Sequence, residues 1–485
     1  MNDNKIKQSS ELVVIVFVIL VIISFIPVKG EFWGVEFKQI DLFSDLKPEQ
    51  ELLYEDDDFF KDWQDEDINE SADSSDQSSI QQGRFDKTNT FTAAMPFGEL
   101  AEASYNFLKN ENEKIDNYLS EPVAPRNKVS ITGNTKQMKY FVDALKKSKR
   151  EKVHIAHYGD SQIEGDLVSG DLRESLRKEF GGGGAGYLAL TSQDISFRVT
   201  TKHEYPANKW KTGSVFMGNE YGFPYGISGE SFVPNAGAYV SYTALKRYRS
   251  TSKFKEIYVF YSDAKGDHFK AVLDNKAQDV KLNKGRGLQM AEITSPGSVR
   301  SLKLEFPQNE SATYYGVFLE DGNGVYVDNF PLRGNSGEDL QKIPEGTVKD
   351  FNKMRDYKLV IFQFGKNAMS GNYLRYEREM LKVIEKFQAA MPNTSFLLIS
   401  VQDSGFKTTP RMMNLLKTQM NIAKSADIAF WNLFEAMGGA NSMSKWVKNN
   451  PPLASADHTH FNLQGAQIVG DMMAEALIDL YNNMK

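Results

Sequence analysis

No cysteine occurs at any of the 485 positions. That excludes a disulfide scaffold, a thiolate zinc site, an iron–sulfur cluster and a cysteine nucleophile. Histidine is scarce too. His154, His157, His203, His268, His458 and His460 must supply any imidazole chemistry. Positive charge is not in excess: 57 Lys and Arg stand against 64 Asp and Glu, a formal net charge of −7. A nucleic-acid binder would carry a basic stripe, so no nucleic-acid partner is expected. No internal repeat is visible. With 41% hydrophobic and 12% aromatic residues, the chain has the material for packed cores. Its length suggests about three domains of roughly 150 residues.

The most apolar stretch runs from Leu12 to Val28, LVVIVFVILVIISFIPV, with no charge and one hydroxyl, Ser24. A run of about 17–25 such residues can cross a bilayer as a helix. Lys5 and Lys7 precede it, which keeps the short tail cytoplasmic. A cleaved signal peptide is the competing reading, but no A-x-A-like site follows. Residues 1–30 are therefore read as a cytoplasmic tail and transmembrane anchor, with the bulk of the chain on the extracytoplasmic side. From Glu51 to Asp76 the chain is dense in Asp and Glu with a single lysine, Lys61. Such a composition buries too little apolar surface to offset chain entropy. Residues 31–130 read as an acidic, largely disordered spacer.

Beyond residue 131 the pattern changes. Five short apolar runs, Val153–Tyr158, Val325–Phe330, Leu359–Phe364, Phe396–Val401 and Ile428–Trp431, alternate with helical periodicity near 138–150, 166–180, 337–353, 372–390, 409–424 and 462–482. Alternation of this kind predicts an α/β domain with a parallel sheet and helices on both faces. Ligands of such sheets sit beyond the carboxyl ends of the strands. Residues 191–324 interrupt the pattern with β-type runs, among them Tyr239–Ala244, Ile257–Tyr261, Phe269–Leu273, Val299–Phe306 and Tyr314–Leu319. They read as an inserted all-β, carbohydrate-binding-like module. The α/β domain is then split into residues 131–190 and 325–485.

Four loops carry residues suited to chemistry. Gly159-Asp160-Ser161 follows the first run and precedes a helix, which exposes a hydroxyl near helix-terminal N–H groups. Gly334, in Leu332-Arg333-Gly334-Asn335, has no Cβ to block approach to its backbone N–H. Asn367, in Gly365-Lys366-Asn367, offers a side-chain amide to a developing oxyanion. Asp457-His458-Thr459-His460 precedes the last helix, and an Asp three residues before a His can hold the imidazole Nδ1–H and leave the other nitrogen as a base. Each loop alone also reads as an ordinary turn. A metal at the last one would need further ligands, and the other histidines lie in strands or in the module. Gly181–Gly184 follows a helix and lacks a Gly-Lys-Ser/Thr, so it is a junction and not a phosphate loop.

In this order the four blocks resemble the SGNH (GDSL-type) hydrolase superfamily. The stretch His157-Tyr158-Gly159-Asp160-Ser161, with Phe180-Gly181 and Gly186-Tyr187 after it, is most similar to the peptidoglycan O-acetylesterase branch, in which a β-rich module interrupts the hydrolase domain. The resemblance covers residues 131–190 and 325–485. It implies a flavodoxin-like three-layer domain, with the inserted module built as a sandwich or jelly roll. It implies a catalytic set of Ser161, Asp457 and His460, and an oxyanion hole of Ser161, Gly334 and Asn367. No metal or organic cofactor is implied. Two positions depart from the pattern: Gln162 stands where Leu is common, and Ala368 where Asp often follows Gly-x-Asn. His458 is the rival base, though the family spacing selects His460. His157 reads as a packing residue on a sheet face.

The expected activity is removal of O-acetyl groups from an extracytoplasmic glycan, peptidoglycan above all. The same residues would also serve an O-acetyltransferase working with a membrane acyltransferase partner. A glycan-binding envelope protein on a decayed hydrolase fold is the non-catalytic alternative. The aromatic stretch Tyr205, Trp210, Phe216, Tyr221, Phe223 and Tyr225 in the module suits either sugar stacking or core packing.

Overall fold

A computed structural model describes residues 126–192, 198–369, 371–404 and 409–485, with the backbone of Glu31–Phe32 and Val35–Glu36. The apolar run at 12–28 and the acidic run at 51–76 lie outside the described residues. Among the described residues no helix is long and apolar enough to cross a membrane. The chain divides into two units, residues 1–96 and 97–485. Of the first, only the antiparallel pairing of Glu31–Phe32 with Val35–Glu36 is described.

The second unit is organised around one six-stranded sheet. Its strands are β1 (Thr132–Gly133), β2 (Lys152–Gly159), β3 (Gly324–Pro331), β4 (Tyr357–Gln363), β5 (Ser395–Ile399) and β6 (Ala429–Trp431). The spatial order is β3-β2-β4-β5-β6-β1. All neighbours are parallel except β1, which runs antiparallel along the edge. Without that edge, the order is the flavodoxin-like one, and chain direction across the sheet reverses between β2 and β4. Every residue of β2 from Val153 to Gly159 is buried, as a central strand covered on both faces requires.

Alternating residues of each strand feed two cores. Ile155, Val327, Ile361, Leu397 and Trp431 pack under α1 (Lys139–Leu145), α2 (Ser169–Phe180) and the last helix, α6 (Leu463–Met484). Tyr158, Phe330, Val360, Phe362 and Leu398 pack under α3 (Glu345–Arg355), α4 (Tyr373–Ala390) and α5 (Pro410–Ser425) on the other face. The result is three layers. Helix starts follow local chemistry: Asn372 caps α4, Thr409 with Pro410 caps α5, and Asn462 caps α6 by accepting from Gln464 and Gly465 N–H.

Between α2 and β3 the chain builds two antiparallel sheets around a separate core. One has the order Gln289–Val299, Phe254–Ser262, Thr313–Glu320, Glu230–Pro234, Trp210–Ser214. Gly186–Leu188 adds to its Thr313–Glu320 strand. The other runs Lys276–Lys281, His268–Leu273, Ser301–Phe306, Ala238–Ala244, Thr201–Glu204. This is the expected β-rich insertion.

Three local expectations change. The run Val299–Phe306 is not one strand: Gln289–Val299 and Ser301–Phe306 lie in different sheets, and the Asp274 carboxylate accepts from the N–H groups of Arg300 and Ser301 where the chain crosses. Helix α2 starts at Ser169 and not at Asp166, because Gly165, Asp166 and Val168 all have positive φ. The helix expected over 337–353 is two pieces, a 3-10 turn at Glu338–Lys342 and then α3, with Pro344 between them.

Candidate active site

β2 ends at Gly159, and the next residues turn sharply. The Asp160 carboxylate accepts from Gln162 N–H at 3.0 Å, and the Asp160 carbonyl from Ile163 N–H at 3.3 Å. This turn lifts Ser161 clear of the sheet at its carboxyl edge, beside the reversal point. The His460 loop comes from the far end of the chain. It is pinned at its base by pairing of Ala454 with Phe461 and by the Ser455 N–H bond to the His460 carbonyl at 2.8 Å. Helix α6 begins three residues after His460. There Gly465 passes so close to the Leu453 carbonyl that a Cβ would sit 1.9 Å from its oxygen.

The structure brings Ser161, His460 and Asp457 into one line. Ser161 Oγ lies 2.9 Å from His460 Nε2, and His460 Nδ1 lies 2.7 Å from Asp457 Oδ2. With Nδ1–H donating to the carboxylate, Nε2 is left to accept from the serine hydroxyl. The other oxygen of Asp457 accepts from the N–H groups of Thr459 (2.9 Å) and His460 (3.0 Å). Partial burial pushes Asp457 up, but these bonds outweigh it and hold the carboxyl below its ordinary value. Both side chains of the pair remain 42–48% exposed, so the relay faces an open cleft.

Gly334 and Asn367 reach the same corner. Leu332 N–H bonds to the Gly159 carbonyl at 2.8 Å, which ties the exit of β3 to that of β2. The chain then turns, with Asn335 N–H on the Leu332 carbonyl at 2.9 Å and Gly334 at φ +80°. A side chain is disfavoured there, both by that φ and because a Cβ would lie 3.1 Å from the Phe216 ring. Asn367 Nδ2 donates to the Asn335 carbonyl at 3.0 Å and lies 3.5 Å from Asp160 Oδ2. Contacts therefore run from Ser161 through Asp160 and Asn367 to the Gly334 turn. An amide and a backbone N–H near a serine hydroxyl are the parts an oxyanion site requires.

The other histidines stand elsewhere. His157 is fully buried between Gln363 Oε1 (3.0 Å) and Ser169 Oγ (2.9 Å). Burial lowers its pKa to about 4, which keeps it neutral. His458 is buried with φ +53°, and its ring is not the one on Ser161. His203 is held against the Leu190 carbonyl in the module. Among the described residues no group of three or more His, Asp or Glu is arranged to hold a metal ion.

Sequence reasoning missed several contributors. Gln162 Nε2 donates to the Thr459 carbonyl at 2.9 Å, and Gln402 Nε2 to the same oxygen at 3.3 Å. Two buried amides thus grip the loop between Asp457 and His460. Gln162 was visible as a polar residue in place of Leu; Gln402 gave no signal. The aromatic stretch divides. Trp210 packs into the module core, edge-on to Phe306. Tyr221 and Phe223 stack on each other at 5.2 Å, and Tyr221 is 48% exposed. Phe216 leaves the module to lie against Gly334.

No protein-family model matches the sequence, and no curated protein matches it either. Among solved structures, one described as a peptidoglycan O-acetylesterase in action superposes with a TM-score of 0.61 at 20% identity, over 74% of this chain and 100% of that one. The chain shares the fold of that structure. An acetyl xylan esterase (19% identity, 32% of this chain and 81% of that one, TM-score 0.26) and the psychrotrophic esterase EstA from Pseudoalteromonas sp. (15% identity, 33% and 80%, TM-score 0.26) overlap more weakly and add nothing to that assignment. Within this fold, the switch point between β2 and β4 is where Ser161 and Asn367 emerge.

Proposed function

We propose that the protein is a serine esterase that removes O-acetyl groups from an extracytoplasmic glycan, peptidoglycan being the favoured carrier. One observation carries this reading: the Ser161–His460–Asp457 relay at 2.9 and 2.7 Å. Similarity in fold to a peptidoglycan O-acetylesterase supports the choice of substrate class. Ser161 Oγ attacks the acetyl carbonyl as its proton passes to His460 Nε2. Asp457 stabilises the imidazolium. The oxyanion is taken up by the Asn367 amide and by the backbone N–H groups of Ser161 and Gly334. His460 returns the proton to the departing sugar oxygen, leaving acetyl on Ser161. Water, deprotonated by His460, then releases acetate and restores the serine. The apolar run at 12–28 supports an anchored position outside the cytoplasm.

The test is acetate release from acetylated peptidoglycan and acetylated xylan by the wild-type protein and Ser161→Ala. The variant is expected to lose about 10⁴-fold or more in kcat. Undiminished turnover rejects the assignment. Acetylated oligosaccharide in place of free acetate would identify a sugar hydroxyl, and not water, as the acceptor.

A further inference from the structure

Two adjacent residues of the serine turn are bonded to two adjacent residues of the histidine loop. Ser161 Oγ meets His460 Nε2 at 2.9 Å, and Gln162 Nε2 donates to the Thr459 carbonyl at 2.9 Å. Gln402, three residues past the end of β5, donates from its Nε2 to the same carbonyl at 3.3 Å. A carbonyl oxygen has two lone pairs, so it can take both amides at once. Both glutamines are buried, and both are firmly mounted. The Asp160 carboxylate holds Gln162 N–H at 3.0 Å. On either side of Gln402, Val401 N–H donates to Gln419 Oε1 at 2.7 Å, and the Asp403 carboxylate accepts from Met443 N–H at 3.0 Å.

The histidine loop needs a hold of this kind. Its internal bonds run from Ser455 N–H to the His460 carbonyl and from Thr459 and His460 N–H to Asp457. They fix its shape but not its place relative to Ser161. Midway along it, His458 lies at φ +53°, a region that resists side chains. The His460 side chain is 42% exposed, so packing alone does not confine the ring. The peptide unit joining Thr459 to His460 is planar. Asp457 takes its N–H at 3.0 Å and the two amides take its oxygen. Gripped at both ends, that plane fixes the His460 Cα from which the ring hangs.

Stability does not account for an amide at residue 162. The Thr459 oxygen can only accept, so Gln162 must turn its NH₂ towards it. The Gln162 Oε1 is then buried with no hydrogen-bond partner among the described residues. A stranded acceptor is a burden to folding, and an apolar side chain of the same length would fill the space without it.

We propose that Gln162 and Gln402 are positioning residues, which set His460 Nε2 on the Ser161 hydroxyl by clamping the Thr459 carbonyl; this rests on the esterase reading and deepens it. Asp457 and His460 ride on one loop. Releasing the clamp therefore moves them together and stretches the Ser161–His460 contact first.

The test is turnover of 4-nitrophenyl acetate by the full-length protein, with competent molecules counted by end-point labelling of Ser161 with a fluorophosphonate. Gln162→Met and Gln402→Met keep the side-chain length and lose the N–H donor. In kcat per labelled molecule, the expected losses are about 10-fold for Gln162→Met, about 3-fold for Gln402→Met and about 100-fold for the double variant. The double loss exceeds the product because each amide covers for the other. His460 serves both acylation and deacylation, so KM should stay within ~2-fold. The melting temperature should move by less than about 3 °C, since the lost bond is offset by removal of the stranded oxygen. A purely structural role would lower the number of labelled molecules and leave the turnover of each unchanged, and that result overturns the inference. So does a double variant within ~2-fold of wild type. If the double variant does not fold, Gln162→Glu takes its place: the carboxylate keeps the shape without the donor, and a loss of about 10-fold is expected. If turnover needs Ser161 but not the glutamines, the esterase reading stands alone. If Ser161→Ala keeps full turnover, both fall.

Discussion

The two ends of the six-stranded sheet treat polar groups in opposite ways. At the amino end, Lys152 at the start of β2 meets two module carboxylates, Glu256 and, at 2.8 Å, Glu320. Arg355, closing α3, reaches Glu320 at 2.5 Å and Asp328 at 3.2 Å, and the Tyr357 hydroxyl donates to Asp328 at 2.9 Å. Burial would raise Glu320, but Arg355 and Lys152 hold it well below its ordinary value. At the carboxyl end, Asp160 is buried with no cation in contact among the described residues. Asp457 and His460 stand half-exposed, and the Asn367 amide rests on a single carbonyl and a long contact. One end is a charge-paired network that fastens the module to the α/β domain. The other keeps hydrogen-bonding capacity in hand, which is what a reacting group needs from its site. With the far end locked, the module is held so that Phe216 meets Gly334 across the cleft.

The largest expected break in this contrast is Asp457→Asn. The amide offers its N–H₂ to Nδ1 and turns the imidazole to the wrong tautomer, so kcat should fall about 10⁴-fold. The side chain is half-exposed, and the melting temperature should hardly move. An equal loss of fold and activity would mean that the loop is structural. At the other end the effect should invert. Arg355→Met leaves Asp328 a buried charge with no cation in contact and Glu320 with Lys152 and His154, and should cost about 3–5 kcal/mol in urea unfolding, with little change in kcat per folded molecule. Replacing Glu320 by Gln in the same background should recover part of that, since removing both partners is cheaper than orphaning one. A cost under ~1 kcal/mol for Arg355→Met would show that these charges do not hold that end together.

Much of this was legible in the sequence because the signals were local. A buried parallel strand is nearly all apolar, so Val153–Tyr158 and Leu359–Phe364 mark themselves, and the five strands fall within two residues of the runs at both ends. The order of Ser161, Gly334, Asn367 and Asp457-x-x-His460 pointed to positions that the fold does bring to one edge. Other features leave no local mark. Lys276–Lys281 is an exposed edge strand, KAQDVK, whose Ala277 and Val280 are too few to announce it. Gln402 and Phe216 matter through contacts with residues 57 and 118 positions away, Thr459 and Gly334. Asp166 and Val168 hide their positive φ within a helical pattern, and the Asp166 carboxylate is turned to Arg173 and Thr200, partners that only the fold supplies. Glu230 reads as a surface carboxylate in a polar stretch, and only the fold encloses it.

The smallest effect sharpens the contrast at one carboxyl. Burial raises Asp160 from 3.8 to about 6, while the Gln162 N–H bond and the neighbouring His460 and Lys366 pull the other way. An acid whose folded pKa lies above its unfolded one binds its proton more tightly in the folded state. Its contribution to stability is full below pH ~4, is lost as pH rises towards 6, and changes no further above that. The shift corresponds to about 3 kcal/mol. Asp160→Asn keeps an oxygen for Gln162 N–H and cannot ionise. Its stability relative to wild type should therefore climb between pH 4 and 6 and then level off. Comparison of the two proteins across that range cancels the opposite slopes of Asp457 and Glu320, whose pKa values are lowered. Parallel curves would mean that Asp160 is already paired, and the carboxyl end would then be no more open than the amino end.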